Sequence, residues 1–111
     1  MLTIESIMSC NDFTLITPVP NPAREISKPF CCDLLSIAMG KACENACWVT
    51  VMANVNTLAV ATLTDVSCII LAEGAQFDEA TLQKAISEEV VVFTTPLPVF
   101  DAALKVYESA D

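Results

Sequence analysis

The sequence predicts a three-layer α/β protein, in which helices cover both faces of a mostly parallel central sheet. Three short segments are apolar almost throughout, namely "ACWVTVM", "VSCIILA" and "VVVFT". A segment that predicts a helix follows each of them, so strands and helices alternate from Ala46 to Glu108. Strands without polar alternation are typical of parallel sheets, because the crossover helices bury both faces of such a sheet.

The first part of the chain predicts a short helix, a strand and a loop. Thr3 can cap a helix over "TIESIMSC", whose residues Ile4, Ile7 and Met8 lie on one face. "DFTLIT" alternates as a strand does, whereas the prolines of "PVPNP" cannot take part in a sheet ladder. "REISKPFCC" is expected to be extended, with an interruption at Pro29.

Two further helices are expected on either side of the first apolar strand. In "DLLSIAMGKA", Asp33 is the predicted N-cap or a carboxylate of the first turn. The spacing predicts that the buried side of this helix consists of Leu34, Leu35, Ala38 and Met39. "VNTLAVATL" is apolar on all sides, so this helix needs cover on the side away from the sheet as well.

The last two helices are predicted to be amphipathic. "DEATLQKAISEE" has Asp78 as its cap, and its inward side is expected to be Leu82, Ala85 and Ile86. "PLPVFDAALKVYE" has Thr95 as its expected cap and Pro96 at its first position. The inward stripe predicted for this last helix is Val99, Phe100, Ala103, Leu104 and Tyr107.

The composition predicts a single domain, residues 1–111, that pairs with a second copy of itself. With 54% hydrophobic residues and a mean hydropathy of +0.57, the chain has more apolar side chains than one small core can hold. We expect the helix "VNTLAVATL" and the segment from Phe30 to Leu35 to form a two-fold interface. The residues expected in this interface are Phe30, Leu34, Leu35, Leu58 and Val60.

The charge and the chain ends argue against nucleic-acid and membrane partners. The net charge is −9, with five Lys and Arg and no His, and such a surface repels phosphate backbones. The uncharged stretch between Glu44 and Asp65 is long enough to cross a bilayer, but its amides and hydroxyls oppose insertion. The start "MLTIESIM" lacks the basic residues of a signal peptide. We therefore expect a soluble, cytoplasmic protein.

The six cysteines are expected to be reduced, and most of them are expected to be buried without a metal. In a cytoplasmic protein a disulfide framework is disfavoured, and a free cysteine packs as a small apolar residue. A zinc or iron–sulfur site is the alternative, and its ligands would be Cys31, Cys32, Cys43 and Cys47. Their spacing matches no established metal motif, so no metal or cofactor is predicted.

A ligand site is predicted where the strands of the parallel sheet end. Ligands of such sheets bind beyond the carboxyl ends of the strands, and polar residues follow all three apolar strands here. The candidate ligand-binding residues are Asn54, Asn56, Glu73, Gly74, Thr94 and Thr95. Helix capping is the alternative role for Asn54, Asn56 and Thr95, because asparagine and threonine are common at helix starts.

Enzymatic activity is disfavoured by the residue inventory. The chain has no His to act as a general base, no phosphate-binding glycine loop and few cations to stabilise an anionic transition state. A cysteine nucleophile or an acid–base pair of Asp33 and Glu73 would be the basis of a catalytic alternative. We expect no catalytic residues, because carboxylates at helix starts and in loops are usually solvated.

Four segments of the chain resemble the DRTGG domain family. They are "DLLS", "CWVTVMANVNTLAVA", "CIILAEG" and "VFTTPLPVFDAALKVYE", and the resemblance extends over nearly the whole chain. The chain departs from the family in "AREISKPFCCD", where Arg24 is present but Lys28 and Pro29 stand in the region of the family glycines. A glycine turn at that point is therefore not available to this chain.

The resemblance implies a fold like that of the amino-terminal domain of HPr kinase/phosphorylase. DRTGG domains also accompany CBS domains in some inorganic pyrophosphatases and occur in some phosphate acetyltransferases, as regulatory or dimerising units. The function implied is that of a non-catalytic, homodimeric regulatory domain that senses a small metabolite or nucleotide. Similar stand-alone proteins imply an alternative, an accessory subunit that binds another protein of redox or hydrogenase metabolism.

Overall fold

The computed structural model describes residues 1–109. Within them, helices and strands follow one another in the order α1 (Ile4–Met8), β1 (Thr14–Leu15), β2 (Pro29–Cys31), α2 (Leu35–Lys41), β3 (Cys47–Thr50), α3 (Val55–Thr64), β4 (Cys68–Leu71), α4 (Glu79–Ser87), β5 (Val92–Thr94) and α5 (Val99–Glu108). No helix in this part of the chain is both long and apolar enough to cross a membrane.

The five strands form one mixed sheet in the order β1-β5-β4-β3-β2. Strands β2 to β5 are parallel, and β1 runs antiparallel to β5 at one edge. Three successive crossovers, through α2, α3 and α4, each lead to the neighbouring strand. The predicted α/β architecture with a mostly parallel sheet is confirmed.

Side chains that alternate along the strands build two separate cores. Trp48, Ile69, Leu71 and Val92 face α2, α3 and α4 on one side of the sheet. Cys47, Val49, Ile70 and Phe93 face α1 and α5 on the other side. All residues of β3 and β4 are buried, so the continuously apolar segments of the sequence are strands covered on both faces.

The first helix and the second strand begin at the residues that the local chemistry favours. Thr3 caps α1 in a reciprocal capping box with Ser6, as the sequence predicts for Thr3. Pro29 does not interrupt the extended segment but is the first residue of β2. A proline is tolerated at the start of an edge strand, because no ladder partner needs its missing N–H.

Helix α2 differs from its prediction in its cap and in its buried side. Leu34 is the N-cap residue and supplies no side-chain hydrogen bond, whereas Asp33 binds the end of β3. Only Ala38 is buried within α2, while Leu34 and Met39 are exposed. The helix crosses from the edge strand β2 to β3, so much of its surface lies beyond the sheet that could cover it.

Helix α5 begins later than predicted and turns a different side to the sheet. It starts at Val99, and Thr95 is not its cap but accepts a hydrogen bond at Oγ1 from the Leu97 N–H at 3.2 Å. Ala102 and Val106 are the buried residues of the helix. Alanine lets the helix backbone approach the sheet closely, and the predicted stripe residues Phe100, Leu104 and Tyr107 are left in solvent. The buried stripe predicted for this helix is therefore wrong in three of its positions.

The N-cap of α4 gives a test of stability against pH. Asp78 accepts a hydrogen bond at Oδ1 from the Thr81 N–H at 2.8 Å, and this bond holds its pKa below the usual value of 3.8. A carboxylate whose pKa falls on folding stabilises the protein above pH 3.8, and this contribution disappears as the pH falls through the lower, folded-state pKa. The Asp78→Asn variant keeps a capping oxygen but does not titrate. Urea titrations give the free energy of unfolding of the wild type and of the variant. The advantage of the wild type over Asp78→Asn in this free energy should shrink from pH 6 to pH 3. A difference that stays constant over this range would contradict the assignment.

Candidate ligand site at the carboxyl ends of the strands

The segments that follow β4 and β5 are tied to each other by backbone hydrogen bonds. The Glu73 N–H donates to the Leu97 carbonyl at 2.8 Å, and the Gly74 N–H donates to the Thr95 carbonyl at 3.0 Å. Glu73 and Gly74 both have positive φ, 57° and 76°, which turns the chain sharply at the end of β4. These bonds hold the two strand ends as one rigid rim.

A cavity of about 190 Å³ opens at this rim. It is lined by Thr14, Gly74, Gln76, Thr94, Thr95 and Pro96. A neighbouring cavity of about 230 Å³ shares Gln76 and Thr94 with it, and its other lining residues are Ile16, Phe77 and Leu82. The two cavities, called the rim cleft below, combine a polar half and an apolar half.

The antiparallel edge strand completes the polar half of the rim cleft. Thr14 of β1 lies directly opposite Thr94 of β5 in the sheet register. Parallel sheets usually form their ligand crevice where successive crossovers diverge, but here the three crossovers all lead in one direction. The rim cleft therefore arises where β1 joins the sheet and not at a topological switch point.

The groups that line the rim cleft are neutral. Threonine hydroxyls and the Gln76 amide supply hydrogen-bond donors and acceptors, and Phe77 supplies an aromatic ring. Among residues 1–109, no Lys, Arg, Asp or Glu lines either cavity. Such a surface suits a planar heterocycle that carries both polar edges and apolar faces.

Three of the candidate ligand-binding residues lie together at this cleft. Gly74, Thr94 and Thr95 line it, whereas Glu73 is exposed and lines neither of the two cavities. The cleft is also lined by Thr14, Gln76 and Phe77, which were not among the candidate ligand-binding residues predicted from the sequence. The alternation of "DFTLIT" indicates a strand but not its partner, so only the observed pairing of β1 with β5 brings Thr14 to the cleft.

The two asparagines after β3 lie outside the rim cleft. Asn54 is the N-cap of α3, and its Oδ1 accepts hydrogen bonds from the N–H groups of Asn56 and Thr57 at 2.9 Å and 3.3 Å. Asn56 lies in the exposed first turn of the same helix. Capping explains Asn54, and its side-chain oxygen is already occupied by these bonds.

The carboxylates considered for acid–base chemistry do not meet in a cavity of the described chain. Asp33 accepts hydrogen bonds at Oδ1 from the Thr50 hydroxyl at 2.7 Å and from the Val51 N–H at 2.9 Å. It thereby ties the end of β2 to the end of β3. Glu73 lies in the turn after β4 and lines neither cavity of the rim cleft. Asp33 therefore has a structural role at the sheet edge.

The cysteines are unpaired, and two of the six are fully buried. Cys47 and Cys68 lie opposite each other on β3 and β4, and the hydrogen bond between them, together with burial, raises the pKa of the Cys47 thiol. Cys31 is exposed, and partial burial and the Asp33 carboxylate raise its pKa as well. The expectation that most thiols are buried is thus wrong. In residues 1–109, no three Cys, Asp or Glu side chains are grouped so as to hold a metal ion.

The residues predicted for a dimer interface are mostly inside the chain. Leu58 and Val60 are buried against Trp48 and its neighbours in one of the two cores. Phe30 and Leu35 are partly buried against the same core, and Leu34 alone is well exposed. The large apolar side chains that α3 leaves in solvent are Val55 and Leu63. Pairing through α3 would therefore use the exposed side of the helix and not Leu58 or Val60.

No known protein-family model matches the chain, and no curated protein matches its sequence. A solved structure with a similar fold is that of the CBS and DRTGG domains of the regulatory region of Clostridium perfringens pyrophosphatase, in complex with its activator diadenosine tetraphosphate. The TM-score is 0.79 at 14% sequence identity, and the match covers 97% of this chain and 47% of that one. The present chain thus spans about half of that regulatory region and shares its fold.

The capping role of Asn54 can be separated from a general effect of amide removal. Asn54→Ala should lower the free energy of unfolding by about 1 kcal/mol, because two N–H groups of α3 lose their acceptor. Asn56→Ala, two residues away and exposed, should change it by less than about 0.5 kcal/mol. Urea unfolding of both variants measures the difference, and equal losses would contradict the assignment of the cap.

Proposed function

We propose that this protein is a non-catalytic regulatory domain, DRTGG-like over residues 1–111, that binds a neutral planar heterocycle such as a nucleobase in the rim cleft. The observation that carries the proposal is the composition of that cleft, which combines the polar side chains of Thr14, Thr94 and Gln76 with the apolar ones of Phe77 and Leu82. Hydroxyls and an amide can read the edge of a base, while the aromatic and aliphatic side chains cover its faces.

The charge distribution favours the base of a nucleotide over its phosphates. The chain carries a net charge of −9, and three of its five cations, Arg24, Lys84 and Lys105, already form ion pairs with carboxylates. None of the five lines the rim cleft. A multiply charged phosphate chain would gain little there, so the ligand is proposed to be held by its heterocycle.

The similarity in fold supports a regulatory role in place of catalysis. The similar pyrophosphatase region is regulatory, and its activator contains two adenosine groups joined by phosphates. In the present chain the Asp78 carboxylate caps α4, and the Asp33 carboxylate connects the ends of β2 and β3. We propose that the domain acts in the cytoplasm as a homodimer. We further propose that ligand binding changes how one of its surfaces contacts a partner protein.

The proposed homodimer accounts for the apolar side chains in solvent. Both helical layers expose them, with Leu34, Ile37, Val55 and Leu63 on one side of the sheet and Phe100, Leu104 and Tyr107 on the other. Side chains of this size are seldom grouped on the surface of a monomer. A second copy of the chain is proposed to cover one of these two surfaces.

A thermal-shift series tests the proposed ligand class. Adenosine, AMP, ATP, diadenosine tetraphosphate and inorganic phosphate are added separately to the protein. Adenosine at about 100 times its Kd should stabilise the native state by about 2.7 kcal/mol. Added phosphate groups should weaken the shift, and inorganic phosphate should give none. If none of the five compounds changes the melting temperature, the ligand proposal fails, and the acidic surface would favour an accessory role towards a basic protein.

Matched glutamine variants locate the binding site. Gln76→Ala removes the amide of the rim cleft, and the adenosine-induced shift should fall by at least half. Gln83→Ala removes another exposed amide, on α4, which donates a hydrogen bond to Glu79, and should leave the shift unchanged. An unchanged shift in Gln76→Ala would place the ligand elsewhere.

A further inference from the structure

Helix α5 presents three large side chains to solvent along one stripe. Phe100 and Tyr107 are 71% and 70% exposed, and Leu104 is 41% exposed. Because these residues are four and three positions apart, they lie on one side of the helix. Ala102 and Val106 hold the helix against the sheet by a different side, so the stripe is free to meet another protein. An apolar stripe on so acidic a chain marks a contact surface.

The stripe is complementary to itself under a two-fold axis. An axis that passes between Ala103 and Leu104 would place a second copy of α5 antiparallel to the first. Phe100 and Tyr107 lie at equal distances from this axis, so Phe100 of each copy would meet Tyr107 of the other. The two Leu104 side chains would pack at the centre, in the manner of antiparallel helix pairs.

The charged flank of the stripe also fits a second copy. Asp101 and Lys105 lie one turn apart beside the stripe, and the antiparallel arrangement brings Asp101 of one copy towards Lys105 of the other. Within residues 1–109, Asp101 has no ion-pair partner, and Lys105 reaches Asp12 at 3.4 Å across an exposed surface. A second copy in this arrangement gives Asp101 an oppositely charged neighbour, so the charges on this flank are complementary.

A cavity beside Tyr107 offers a seat for an aromatic ring of the second copy. Its volume is about 250 Å³, and it is lined by Leu2, Ile26, Ser27, Lys28, Pro29 and Tyr107. Since Phe100 of the second copy would lie against Tyr107, its phenyl ring could enter this cavity. Buried aromatic anchors in pockets contribute most of the binding energy of protein interfaces.

The aromatic rings of the stripe supply part of the area that a stable dimer needs. Phe and Tyr side chains bury about 150–250 Å² each, so the exposed fractions of 71% and 70% give about 400–700 Å² for four rings. A standard interface buries about 1,200–2,000 Å² in total. Leu104, Ala103 and the walls of the cavity beside Tyr107 add to the area of the rings at this contact.

We infer that the proposed homodimer forms through α5, paired antiparallel with α5 of a second copy around the stripe Phe100, Leu104 and Tyr107. This inference rests on the proposed homodimer and names its surface. It is independent of the rim cleft, which lies beside β1, α4 and β5. The stripe on α5 takes the place of Leu58 and Val60 as the expected dimer surface, because these two residues are buried in the core of the chain itself.

Sedimentation velocity of the full chain at micromolar concentration tests the inference. Wild type should sediment at twice the monomer mass of 11.9 kDa, and Phe100→Lys should sediment as a monomer. Leu63→Lys is the matched control, since Leu63 is 72% exposed on α3, on the other side of the sheet, and this variant should stay dimeric. Circular dichroism should show unchanged folding of both variants, because both side chains lie in solvent.

The outcomes separate this inference from the proposal on which it rests. A dimeric wild type with a dimeric Phe100→Lys, or with a Leu63→Lys variant that alone dissociates, would overturn pairing through α5 and leave the homodimer standing. A monomeric wild type would overturn both. A charge swap gives a second readout: Asp101→Lys should raise the dimer Kd by on the order of tenfold, and Asp101→Lys with Lys105→Asp should restore it. Failure of the double variant to recover would contradict the antiparallel register.

Discussion

The burial of β3 and β4 on both faces is the constraint on which the rest of the structure depends. Every residue of these two strands is buried, so helices must cover both sides of a sheet that is only five strands wide. Three crossover helices occupy one side, because each parallel connection needs one. The other side is left to α1 and α5, the helices near the two ends of the chain. The placement of α5 therefore follows from the need to cover Val49, Ile70 and Phe93.

This need also explains why α5 exposes aromatic side chains. Helix α5 turns Ala102 and Val106 towards the sheet, and the small side chain of Ala102 lets the helix backbone approach it closely. Phe100, Leu104 and Tyr107 then lie on the outer side of the helix, as a consequence of how the inner side packs. The same sheet gives the rim cleft its position, since β1 joins the sheet at the edge beside β5. The folding requirement thus generates the two surfaces to which we assign function.

The sequence predicted most of the fold because its signals were local. Continuous apolar strands, the caps Thr3 and Asp78 and the alternation of helices with strands could all be read within a few residues. Predictions failed where the answer depended on distant parts of the chain. Leu34 and Met39 have the spacing of buried residues but are exposed, because α2 lies at the edge of the sheet. Asp33 does not cap this helix, because its carboxylate accepts a hydrogen bond from the Thr50 hydroxyl.

Of the rim residues, Gly74, Thr94 and Thr95 could be predicted, because strand ends meet at one edge. Thr14 could not, because its position depends on which strand β1 joins.

The central claim is that the rim cleft is the ligand-sensing surface of the domain. The most direct measurement is a titration of the ¹⁵N-labelled protein with adenosine, followed by the amide chemical shifts. We expect the largest chemical-shift changes at Gly74, Gln76 and Thr95. The changes at Asn54 and Asn56, at the start of α3, should be small. Saturable shifts centred on Asn54 and Asn56, or no saturable shifts at all, would contradict the account.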